Sequence, residues 1–165
     1  MKNVVYEEWV AAGTLAKALV GFFSLLIMCI LLIIIVVGVA TQHPFLIVVL
    51  ASPLAFVLFV FWNYRGIRIK VTTESLLIYY GFFNRKRIPI ADIVSCEPTK
   101  ASFGRYGGIG IRYGTDGSWA YTTSFGNAVE IVLPKGKPFV FSSNNPEKIC
   151  NIINQPKNVP HTQFN

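Results

Sequence analysis

From Ala18 to Tyr64 the chain runs for 47 residues without an Asp, Glu, Lys or Arg. No soluble domain of this size carries such a run, whereas a lipid bilayer accommodates it directly. Its only polar, turn-prone part is Thr41-Gln42-His43-Pro44. The stretch predicts two membrane-spanning helices, at 19–39 and 45–62, joined by a very short turn. At 1.5 Å per residue, some 20 residues cross a hydrocarbon core of about 30 Å. Pro44 suits the first turn of a helix, where its missing N–H is harmless. Pro53 falls inside the second span and predicts a kink, with the freed carbonyl satisfied by a neighbour or water. Gly38-Val39-Ala40 offers small residues for signal cleavage. The apolar region, however, exceeds the roughly 7–15 residues of a signal peptide and follows a weakly charged start.

Charge separates the two parts of the chain. Up to Tyr64, Lys2 and Lys17 balance Glu7 and Glu8; from Arg65 onward 13 Lys and Arg face 6 Asp and Glu, which accounts for the whole net charge of +7. Trp62 and Tyr64 form an aromatic collar at the end of the second span, followed by Arg65, Arg68 and Lys70. That is the positive-inside pattern, and it predicts a multi-pass plasma-membrane protein with both termini in the cytoplasm and His43 in an outside turn. Residues 1–17 form an N-terminal interfacial segment, in which Tyr6 and Trp9 suit the membrane–water boundary. A short interfacial helix and a simple extension of the first span both fit.

After Tyr64 the pattern alternates. Ile67, Ile69 and Val71 fall on one side of a strand and Arg68 and Lys70 on the other. Leu76 to Tyr80 and Arg85 to Ile90 follow, with further strands at 91–98, 108–113, 118–123, 128–133 and 138–142, separated by Gly-, Asn- and Pro-containing turns. About seven short strands suggest an antiparallel meander, closed as a barrel or sandwich. Asn145, Pro146 and Glu147 then start a helix whose Ile149, Ile152 and Ile153 form one apolar face, fit to cap the barrel. Residues 156–165 read as a flexible tail. The fold class is thus a membrane α-helical hairpin plus a mainly β, α+β domain over 65–155.

Three stretches carry a resemblance to bacterial and archaeal pleckstrin-homology-like (bPH) domain proteins. They are Arg85-Lys86-Arg87-Ile88-Pro89-Ile90-Ala91-Asp92-Ile93, Arg105-Tyr106-Gly107-Gly108-Ile109-Gly110-Ile111-Arg112 with Gly117, Ala120-Tyr121, Gly126 and Val129 after it, and Asn145-Pro146-Glu147-Lys148 before an apolar helix. The resemblance covers about 65–155 and implies seven strands, a C-terminal helix and a binding-module role; two preceding membrane helices are a frequent companion. Ile109 stands where a Trp is common. No lipid-binding motif is matched residue by residue, so the resemblance implies no ligand.

Catalytic chemistry finds few parts. His43 and His161 are the only histidines and fall on opposite sides of the membrane in this topology. Asp92, Glu97, Asp116 and Glu130 have no evident partner in sequence and read as solvated surface charges. Gly108-Ile109-Gly110-Ile111-Arg112 continues into Tyr113, which breaks the dinucleotide fingerprint. Cys29, Cys96 and Cys150 follow no metal-ligand spacing and read as free thiols in a reducing compartment. The expectation is a non-enzyme without metal or cofactor. Its best functional candidates are Arg65, Arg68, Lys70, Arg85, Lys86 and Arg87, placed to meet anionic headgroups or a partner. Nucleic acid is not expected as a partner, and an unknown protein or a second copy is. The alternative is an accessory subunit of a larger transport or secretion complex that packs through its helices.

Overall fold

A computed structural model describes residues 3–134 and 136–155; the tail, with His161, lies outside them. The chain divides into two compact units. Ala12–Arg65 forms one, and the residues before it join those from Gly66 onward to form the other.

The first unit is the uncharged hairpin. Helix α1 spans Thr14–Val36, α2 is a single turn at Val39–Gln42, and α3 spans Phe45–Asn63. Both long helices are long and apolar enough to cross a membrane: their 23 and 19 residues rise about 34 and 28 Å. They pack on each other, and α1 has no buried residue. The first helix ends earlier than the expected residue 39, because Gly38 takes up the left-handed conformation (φ 79°) that commonly closes a helix. The Thr41 hydroxyl then donates to the Gly38 carbonyl at 2.6 Å. Pro53 cannot donate to the carbonyl four residues back, that of Val49; the Ser52 hydroxyl reaches that oxygen instead, at 3.5 Å. At the open end of the hairpin, the Ala12 N–H donates to the Arg65 carbonyl at 2.7 Å.

The second unit holds nine strands among the described residues, in two open sheets. The four-stranded sheet has the order β1-β2-β3-β4, formed by Val4–Ala11, Gly66–Thr72, Ser75–Tyr80 and Asn84–Pro89. A 3-10 turn at Ile90–Asp92 leads to the five-stranded sheet. Its strands are β5 (Ser95–Ala101), β6 (Gly110–Tyr113), β7 (Trp119–Thr122), β8 (Gly126–Val132) and β9 (Phe139–Ser142), in the order β5-β8-β9-β7-β6. One turn of helix, α4 (Phe103–Tyr106), separates β5 from β6. A strand lies at or near each position read from the alternation, with the expected 91–98 displaced to Ser95–Ala101 by the 3-10 turn, but the meander is not present: β8 pairs with β5, and β7 runs parallel to β9. The sheets meet over a core of Ile67, Ile69, Leu76 and Ile78 from one and Val129, Ile131, Phe139 and Phe141 from the other. The buried Tyr80 hydroxyl ties them by donating to the Thr122 carbonyl at 3.2 Å.

Two expectations are corrected here. The N-terminal segment is neither an interfacial helix nor an extension of the first span; residues 4–11 are β1, an edge strand antiparallel to β2. The cysteines are not all free. Cys96 on β5 and Cys150 on α5 (Pro146–Asn154) form a disulfide, with Cα atoms 5.2 Å apart, and only Cys29 is free. Helix α5 packs on β5 and β8 through buried Ile149 and Ile153, and the Asn154 amide donates to the Cys96 carbonyl at 3.1 Å.

Candidate binding surface on the four-stranded sheet

Alternation along the strands sorts the basic residues by face. On β2, Arg68 is exposed and Lys70 half-buried, while Ile67, Ile69 and Val71 are buried. On β4, Arg85 and Arg87 point outward and Ile88 inward. The register then aligns side chains across all four strands. Trp9 lies opposite Arg68, Arg68 opposite Tyr79, and Tyr79 opposite Arg85. The next outward row is Glu7, Lys70, Leu77 and Arg87. With strands about 4.8 Å apart, each row crosses about 14 Å of surface.

The first row alternates aromatic rings with guanidinium groups. Arg68 lies 5.9 Å from the Trp9 ring centroid, and Arg85 lies 5.9 Å from that of Tyr79. Such cation–π contacts hold a guanidinium in place while leaving its N–H donors free for an anion. Glu7 is the one acid of these two rows; it lies 3.1 Å from Lys70 and 3.9 Å from Arg68. Among the described residues Arg85 and Arg87 have no carboxylate partner. Four cations against one anion, interleaved with Trp9 and Tyr79, make a face suited to a negatively charged, partly apolar surface.

Four of the six candidate residues therefore share one face: Arg68, Lys70, Arg85 and Arg87. The other two do not. Lys86 points inward on β4, its ammonium 3.8 Å from the centroid of the Phe139 ring, and burial lowers its pKa. Arg65 belongs to the hairpin unit, where its guanidinium stacks on Trp62 at 4.4 Å. The residues that the sequence reading missed are Trp9, Glu7 and Tyr79. The first two escaped it because Glu8 interrupts the apolar alternation of β1. Glu8 is buried, accepting from the Ser143 hydroxyl at 2.6 Å and from the Tyr6 hydroxyl at 3.0 Å.

Two of the carboxylates read as lone surface charges prove to be partnered. Arg105 contacts Asp116 at 2.6 Å and Glu130 at 2.8 Å. Burial would raise the Asp116 carboxyl, but hydrogen bonds from the Ser118 hydroxyl and N–H and from Arg105 outweigh it and hold the pKa at about 2. This network joins α4 to the β6–β7 turn and β8, away from the basic face. Among the described residues no three His, Cys, Asp or Glu side chains gather as metal ligands. No protein-family model, curated protein or solved structure matches the chain.

Proposed function

We propose that the protein is a membrane-anchored binding and scaffolding module. In this reading α1 and α3 cross the plasma membrane, and the outer face of the four-stranded sheet binds anionic headgroups on the cytoplasmic side. The observation that carries it is the Trp9–Arg68–Tyr79–Arg85 row with Lys70 and Arg87 beside it. Each basic residue held close to an anionic membrane contributes about 1 kcal/mol. The hairpin is inserted between two neighbouring strands, since β1 precedes it and β2 follows it. A chain that leaves a sheet and returns to it in this way places both open ends of the hairpin on one side, which supports an even number of spans.

Two features bear on which side that is. Arg65, Arg68 and Lys70, directly after α3, favour the cytoplasm, whereas a disulfide favours an oxidising compartment. Charge acts during insertion and fixes orientation; the Cys96–Cys150 bond forms afterwards, and both residues are 3% exposed, which slows attack by a soluble thiol. We therefore place the β unit in the cytoplasm. The pleckstrin-homology-like reading of this unit draws support from its order, mainly antiparallel strands followed by one C-terminal helix, and departs from that pattern in its extra N-terminal strand, its eight rather than seven strands after the hairpin, the parallel β7–β9 pair and the open sheets.

Ala11 pairs with Gly66, so a two-residue turn can replace residues 12–65 and leave β1 and β2 as an ordinary hairpin. This hairpin-deleted domain is expected to sediment with anionic vesicles and not with zwitterionic ones, more completely at low salt. The triple variant Arg68→Gln, Arg85→Gln, Arg87→Gln is expected to stay in the supernatant. Equal sedimentation of both proteins would retire the lipid reading. A membrane partner captured by the full chain but not by the hairpin-deleted domain would favour the accessory-subunit alternative.

A further inference from the structure

The β3–β4 turn carries two large apolar side chains where a soluble hairpin would carry polar ones. Gly81 turns the chain with φ 70°, and Phe82 and Phe83 follow with 65% and 75% of their surface exposed. The register fixes which end of the sheet this is. Gly66 pairs with Ala11, Ile67 with Tyr80, and Tyr80 with Asn84. The turn therefore stands at the end of the sheet from which the chain departs into α1 and to which it returns from α3. Only Tyr64 and Arg65 separate α3 from β2, a span of at most about 11 Å of chain. The β2–β3 turn at Thr73 and Glu74 lies at the other end, roughly 20 Å along the strands.

We propose that the Gly81–Asn84 turn is a second membrane anchor, with Phe82 and Phe83 inserted at the headgroup–acyl boundary of the bilayer that holds the hairpin. The proposal rests on the reading that α1 and α3 cross that bilayer. Exposed aromatic rings beside basic side chains are the composition of interfacial anchors, with rings in the acyl boundary and cations among the phosphates. The basic side chains are at the right height. Arg68 and Arg85 occupy the outward row nearest this end of the sheet, one strand residue beyond the pair Tyr80 and Asn84. Insertion of the turn thus brings the Trp9–Arg68–Tyr79–Arg85 row to headgroup level. The row of Glu7, Lys70, Leu77 and Arg87 then stands one step farther from the lipid, about 7 Å along the strands, where Lys70 and Arg87 remain within about one screening length of the anionic layer.

Depth-dependent quenching in the full chain tests this. In a Cys29→Ser background, which leaves no free thiol of its own, bimane is attached at Phe83→Cys, at Phe82→Cys, at Thr73→Cys and at Ile33→Cys within α1. Each protein is reconstituted into phosphatidylcholine–phosphatidylserine vesicles, with and without lipids carrying a nitroxide, near the headgroup for positions 73, 82 and 83 and in the acyl chain for position 33. Bimane at positions 82 and 83 is expected to lose fluorescence to the nitroxide and to emit at shorter wavelength than at position 73, which is expected to stay unquenched. Ile33→Cys reports the hairpin independently. Quenching at 33 with none at 82 and 83 would overturn the second anchor and leave the membrane hairpin standing. Absence of quenching at 33 would remove the membrane reading and the anchor with it.

Discussion

Arg85 and Lys86 are neighbours in sequence with opposite surroundings. Arg85 lies over Tyr79 on the outer face, and Lys86 lies over the Phe139 ring between the sheets. Lys86 shares an inward row with Ile78, Ile69 and Glu8, so each edge strand of this sheet carries one inward charge. Inward charges on edge strands discourage pairing with another chain, because a continued sheet would bury them. A protective role for Lys86 predicts that Lys86→Met leaves vesicle binding unchanged. Arg85→Gln, by contrast, should weaken binding about fivefold, the equivalent of about 1 kcal/mol. Vesicle sedimentation of the hairpin-deleted domain compares the two; a larger loss for Lys86→Met would move Lys86 onto the binding surface. Asp116 supplies an acid-dependent contribution of its own. Its folded pKa of about 2 lies below the ordinary value of 3.8. The stability from its bonds to Ser118 and Arg105 is therefore complete above the ordinary value and is lost as pH falls toward about 2. The side chain is 41% exposed, and solvent screening limits the contribution to about 1 kcal/mol. Urea midpoints measured from pH 5 to pH 2 should fall less steeply for Asp116→Asn than for the parent domain.

Among the elements, β1 and α5 are held by long-range ties. Residues 4–11 cover the free edge of β2, and the loop after β9 grips them: Ser143 donates to Glu8, the Asn144 amide to the Trp9 carbonyl at 3.1 Å, and the Asn145 amide to the Tyr6 hydroxyl at 3.3 Å. A fragment beginning at Gly66 lacks this strand and is expected to aggregate or fail to fold. The hairpin-deleted domain that retains residues 4–11 should give a single cooperative unfolding transition, and equal solubility of the two proteins would count against an essential β1. For α5, the disulfide closes a loop of 54 residues, worth about 4 kcal/mol in the chain-entropy account and about 2–4 kcal/mol in typical proteins. The pair Cys96→Ser, Cys150→Ser should lower the unfolding free energy by about that much. Thiol tagging of the denatured full chain should count one reactive cysteine without reductant and three with it. These two elements are also where sequence was least legible. The alternation of β2 is visible because Ile67, Ile69 and Val71 all face the core, but that of β1 is masked by Glu8, whose burial depends on a partner 135 residues away, Ser143. Cys96 and Cys150 approach only when α5 docks, which no local spacing records. Gly38 carries a readable signal, a glycine closing an apolar helix, but the same residue also fits the small-residue pattern of Gly38-Val39-Ala40.

For the whole molecule, the proposed membrane anchoring turns on which side of the bilayer would receive the basic sheet, and there the local signals compete. The hairpin itself is nearly symmetric in charge, since Lys17 and Arg65 stand close to its two open ends and no ionisable Asp, Glu, Lys or Arg lies between them. Orientation must then be set by the flanking sequence, where Arg65, Arg68 and Lys70 follow α3 directly while Glu7 and Glu8 precede α1. Basic residues next to a span resist translocation, whereas acidic ones have little influence. The closed end of the hairpin, at Thr41 to Pro44, should consequently face outward. In a Cys29→Ser background, Gln42→Cys in intact cells should react with a thiol reagent that does not cross membranes. A cysteine at Thr73 on the β2–β3 turn should react only after permeabilisation. The reverse pattern would place the β unit outside, where the disulfide would form without hindrance and anionic inner-leaflet lipid would be out of reach. The same labelling therefore decides more than topology: it determines whether the Arg68–Tyr79–Arg85 row can meet the negatively charged leaflet that its composition fits.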